Sequence, residues 1–197
     1  MVRMAVLAIL APILGVVVLL SVGAGEGSGI RSTYFAWFAV GAATEIASGL
    51  LLLRPTRESW RRGWGILWIA CIAYMGGYSN LFLQRSEIDG VRSAAVEVLN
   101  LERRAAERPG DIDLRAGLRA VRERFARERP GLSPSPDLVD DLGADAEVLG
   151  VLEYVLGLLF VAAFFVLSFA TSPEAQRFYG FEDRPEEGGV LGGGAPA

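Results

Sequence analysis

Four apolar runs punctuate the chain: about Met4–Val22, Thr33–Leu53, Gly63–Leu83 and Val148–Thr171. Each has the roughly 20 residues that an α-helix needs to cross a hydrocarbon core of about 30 Å at 1.5 Å per residue. Polar residues gather between the third and fourth runs, where Arg85–Glu147 holds 11 arginines and 14 acidic residues. The pattern predicts an all-α integral membrane protein with four transmembrane helices and an extracytoplasmic helical hairpin between helices three and four. The chain divides accordingly into helices one to three (1–84), the hairpin insertion (85–147), helix four (148–172) and a flexible cytoplasmic tail (173–197).

Within the insertion, "VRSAAVEVLNLERRAAER" reads as one helix with Asp89 as its N-cap, and Pro109–Gly110 breaks it. Asp111 or Asp113 can cap a second helix, ended by Pro130. In that helix Leu114, Leu118, Val121 and Phe125 recur at spacings of four, three and four, which lays one apolar stripe along an arginine-rich surface. The stripe can be satisfied inside the hairpin or serve as a docking surface, since two short helices make a small core. "GLSPSPD" reads as a linker back to the membrane.

Charge sets the expected orientation. The loop "RPTRESWRRG" carries Arg54, Arg57, Arg61 and Arg62 against the single acid Glu58. Short arginine-rich loops stay in the cytoplasm, so this loop and both termini are expected inside a prokaryotic cytoplasmic (inner) membrane. The opposite side agrees: the first loop has only Arg31, and Ser133–Glu147 has no base. Trp60 and Trp64 are expected at the inner interface, Tyr34 and Trp37 at the outer one. The basic start and apolar stretch of the first run also suit a secretory signal, but its length favours an uncleaved helix.

Composition removes several chemistries. The chain is 52% hydrophobic, with mean hydropathy +0.36. All 19 basic residues are arginine, and there is no histidine. No imidazole can therefore ligate haem or zinc, and no Ser–His or Cys–His pair can form. One cysteine, Cys71, excludes an internal disulfide and a CxxC pair. The net charge of −4 gives no reason to expect nucleic acid. No P-loop, HExxH or dinucleotide fingerprint is present, and the glycine-rich "LGGGAP" has no helix after it. No enzyme activity, metal or cofactor is implied.

Two carboxylates fall inside the apolar runs. A charge near the middle of a span costs roughly 2.5–3.5 kcal/mol on insertion scales and is usually turned toward protein or water. Glu45 has Gly41, Ala42, Ser48 and Gly49 at helical spacing, a face of small residues that lets another helix approach closely. Glu153 has Gly150 and Gly157. By rise per residue Glu45 lies about 18 Å and Glu153 about 8 Å below the outer surface, so the two form no dyad. On helix three, Cys71, Tyr74 and Tyr78 share a face, with Asn80 beside them. Depth matching sets Cys71–Tyr74 near Glu45 and Tyr78–Asn80 near Glu153. A tyrosine hydroxyl could satisfy either carboxylate.

Two functions fit these features. One is a non-catalytic accessory or structural subunit of a larger membrane complex, meeting the lipid bilayer and other subunits or its own copies. The other is a small oligomeric transporter or proton-coupled carrier with Glu45 as the titrating group. A lipid-modifying enzyme using Tyr78, Asn80, Arg85 and Glu153 is a distant third.

Overall fold

The computed structural model describes residues 2–21 and 30–181, and all their regular structure is helical. The elements are α1 (Val2–Ser21), α2 (Ile30–Leu52), α3 (Arg57–Glu107), α4 (Ile112–Glu128), α5 (Pro136–Ala170) and α6 (Pro173–Phe178). Three helices, α2, α3 and α5, are long and apolar enough to cross a membrane, while the apolar part of α1, Val2–Val18, is shorter. The acidic and glycine-rich segments of the tail, 182–197, lie outside the described residues, as does the first loop, 22–29. Arg31 belongs to the first turn of α2 and not to the loop.

The main departure from the sequence pattern is helix length. α3 runs for 51 residues without a break, about 76 Å at 1.5 Å per residue, or more than twice a bilayer core. The third apolar run and the first polar helix are one element. Asp89 therefore lies in a helix interior and caps nothing. A helix already nucleated gains a hydrogen bond with each added residue, which outweighs the penalty of about 1 kcal/mol for Gly90 beside it.

α5 likewise begins early, at Pro136, inside the expected linker. Ser135 Oγ accepts from Leu138 N–H at 3.1 Å, and Pro136 takes the first helical position, where its missing N–H costs nothing. Other boundaries follow the sequence. α3 stops at Glu107, before Pro109–Gly110, and Asp111 caps α4 by accepting from Leu114 N–H. The start of the expected flexible tail is helical instead: Ser172 caps α6, again with proline following.

The chain forms two compact units, Met1–Val17, Ala36–Tyr74 and Leu159–Ala197 in one, Val18–Phe35 and Met75–Leu158 in the other. In the first, glycines set how closely helices approach. A Cβ on Gly49 of α2 would lie 2.8 Å from Ile9 and 2.9 Å from the Ala5 carbonyl of α1. Ser48 Oγ donates to the Gly63 carbonyl of α3 at 2.7 Å. The small-residue face of α2 thus serves two neighbours, α1 through Gly49 and α3 through Ser48.

In the second unit, α4 folds back along the end of α3. Ala95, Val98 and Phe125 form a buried cluster, with Leu118, Val121, Leu138 and Val139 packed against it. Arg122–Glu102 at 2.5 Å and Arg124–Glu97 at 2.9 Å pair the exposed flanks. The expected two-helix core is a three-helix one, because the early turns of α5 supply Leu138 and Val139.

Candidate functional site

The first unit holds Glu45 in contact with Tyr74 of α3. Gly41 and Glu45 are one turn apart on α2 and so share a face. At Gly41 the ring of Tyr74 from α3 lies directly against the helix: an added Cβ would collide with Tyr74 Cε1 and sit 2.6 Å from Cδ1 and 2.8 Å from Cζ. The absent side chain gives the ring its place, and the ring carries its hydroxyl to Glu45. Tyr74 Oη donates to Glu45 Oε2 at 2.7 Å, and both residues are fully buried. Glu45 Oε1 is buried with no hydrogen-bond partner. Cys71, one turn before Tyr74, is buried with a free thiol. Tyr74 and Glu45, set near each other by depth matching, are in direct contact.

Glu153, in the second unit, departs from expectation. Its donor is Arg85, whose Nη1 lies 3.0 Å from Glu153 Oε2. Gly150 makes room for the guanidinium: a Cβ there would be 3.3 Å from Arg85 Nη1. Tyr78 instead lies over Gly157, about 4 Å from where its Cβ would be, and Asn80 accepts from Gln84 at 2.6 Å. Neither provides a donor to Glu153. Arg85 is the first residue of the polar insertion that follows the third apolar run. It is an interior helical residue, seven positions beyond Tyr78, and that spacing returns it to the face that meets α5. Glu153 Oε1 is buried and unpartnered as well.

The α4 stripe divides. Leu118, Val121 and Phe125 join the cluster just described, and Leu114 is half-buried outside it. Of the expected interfacial aromatics, Tyr34 is buried and Trp37 is exposed. Among the described residues no three of His, Cys, Asp and Glu gather as potential metal ligands.

Sequence reasoning overlooked one more constellation, at the corner where α2 turns into α3. Tyr179, just after α6, donates its buried hydroxyl to the Leu52 carbonyl at 2.5 Å. Trp60 Nε1 donates to the Ala170 carbonyl at 2.8 Å. Arg57 donates to the Gly180 carbonyl and lies 5.0 Å from the centre of the Phe181 ring. The Ser172–Pro173 pair was the available signal, since a capping serine followed by proline is a helix start.

No family model matches the chain, and no curated protein or solved structure is similar to it.

Proposed function

We propose that this chain is a non-catalytic subunit of a larger membrane assembly. In this reading it crosses a prokaryotic cytoplasmic membrane four times, with α1 as the first span, both termini and the α2–α3 loop inside, and α4 outside. The supporting observation is the way the intramembrane carboxylates are used. Glu45 accepts from Tyr74 and Glu153 from Arg85 through one oxygen each, and each donor comes from a neighbouring helix. Such contacts hold helices together, as buried polar groups between spans commonly do. Outward-facing large apolar side chains, such as Leu10, Ile13 and Leu14 on α1, are left for lipid or for neighbouring subunits. The test is purification in mild detergent from cells at native expression. Partners recovered in fixed stoichiometry support the reading; a monodisperse, partner-free protein contradicts it.

A second reading, a proton-coupled carrier working through Glu45, is favoured by one feature: Oε1 is buried without a partner. A mechanism of that kind predicts that Glu45→Gln leaves the fold intact and removes any pH-dependent transport. Unchanged transport in that variant would exclude it.

A further inference from the structure

The α2–α3 corner carries more positive charge than its own structure consumes. Arg54, Arg57, Arg61, Arg62 and Arg177 are all exposed there. Arg57 is taken up by Gly180 and Phe181, and Arg62 pairs with Glu58 at 2.5 Å. That leaves Arg54, Arg61 and Arg177, with Glu174 the remaining acid on the described part of the corner. Two contacts fix the backbone of the segments that bear these three. Tyr179 bonds the Leu52 carbonyl, which brings the end of α6, and with it Arg177, up to the turn that bears Arg54. Arg61 follows Trp60, whose indole is anchored on Ala170.

A second, independent feature says what lies beside these arginines. Trp60, Trp64 and Trp68 recur every fourth residue and contact in sequence, with ring centroids 6.2 and 6.1 Å apart. Trp68 and Phe178 are exposed. Tryptophans at the end of an apolar helix mark the membrane interface, from which this ladder runs toward the acyl region, and arginines at that interface meet lipid phosphates. Guanidinium groups bind phosphate through paired N–H donors.

We propose that Arg54, Arg61 and Arg177 form a binding surface for the phosphate of an anionic phospholipid headgroup, with the tryptophan ladder against its acyl region. This assignment requires a membrane location and is independent of whether the chain is a subunit or a carrier. Its chemistry is electrostatic and bidentate, so it distinguishes anionic from zwitterionic lipid and weakens with salt.

The ladder supplies the probe. The full chain carrying Trp37→Phe, so that only the ladder fluoresces, is reconstituted into vesicles of phosphatidylcholine with brominated phosphatidylglycerol or brominated phosphatidylcholine. The full chain is used because Glu182, Asp183, Arg184, Glu186 and Glu187 follow the corner directly in the sequence. Quenching gives the relative association of the two lipids. The expected preference for phosphatidylglycerol is on the order of ten-fold, falling to near unity in the Arg54→Gln/Arg61→Gln/Arg177→Gln variant and at high salt. Lysine at the same three positions should keep much of it. Arg119→Gln on α4 should keep all of it. An equal affinity for both lipids in the unsubstituted corner, or a preference untouched by the triple glutamine variant, overturns the proposal. If inorganic phosphate abolishes the preference where chloride of equal ionic strength does not, the surface takes free phosphate, and the lipid assignment is overturned. The salt arm decides the matter even if the triple variant fails to fold.

Discussion

Glu45 and Glu153 are both carboxylates on helices apolar enough to cross a membrane, yet their donors differ in kind. Glu45 receives a neutral hydroxyl from Tyr74, and both groups are fully buried. Glu153 receives a charged guanidinium from Arg85, whose side chain is 44% exposed. Solvent access explains the difference. An arginine whose side chain stays partly exposed can reach a buried carboxylate without burying its whole charge, whereas between fully buried groups a neutral donor brings no second charge to bury. Each contact also depends on a glycine placed one turn or less from its acid: Gly41 for the ring, Gly150 for the guanidinium. In both, the missing side chain decides which donor can arrive.

That difference gives an ordered set of expectations. The largest effect belongs to Gly41→Leu, because the new side chain meets a wholly buried ring that has nowhere to go. Overpacking of this kind costs about 1–3 kcal/mol or more, read as a lowered Tm in detergent. If the variant is as stable as the parent, the ring does not lie against α2. Next is Tyr74→Phe. It leaves the ring in place and both Glu45 oxygens without a donor, at a cost of about 1–3 kcal/mol that is insensitive to salt. Arg85→Gln comes third, with a loss of about 1 kcal/mol given the exposure of the arginine. Its effect should shrink as salt rises, and a salt-independent loss would erase the contrast between the two contacts.

The smallest effect concerns the corner and is a matter of pH. Burial pushes the Tyr179 hydroxyl up to about 12, from an ordinary value near 10. The fold therefore favours the neutral hydroxyl. Its contribution is complete below about pH 10 and is lost as pH rises toward about 12. Tyr179→Phe should remove about 1 kcal/mol at neutral pH and flatten that alkaline decline, as followed by tryptophan fluorescence.

Much of this architecture is legible in the chain, and the illegible parts share a cause. The apolar runs, the Pro109–Gly110 break and the Asp111 cap are local signals, and the helices obey them. The small face around Glu45 and the tyrosine opposite it follow from helical spacing and depth alone. Asp89 misleads because a capping residue marks a start only where the helix has reason to stop. Within α3 nothing stops it. Arg85 stands among the polar groups that the sequence sets near Glu153, but only the uninterrupted α3 gives it the face that singles it out as the donor. The stripe of α4 was legible, but its cover was not. Leu138 and Val139 directly follow a segment whose prolines suggest a linker, and the Ser135 cap starts the helix inside that segment.

A structural role for Glu45 is tested most directly by a double-mutant cycle between Glu45→Ala and Tyr74→Phe, with Glu45→Gln beside it, measured as unfolding free energy in one detergent. The two residues should be coupled by about 0.5–2 kcal/mol, and glutamine, whose carbonyl can still accept from Tyr74, should retain most of the parent's stability. Coupling near zero would contradict the clasp, the more so if Glu45→Gln kept its stability while losing a pH-dependent activity.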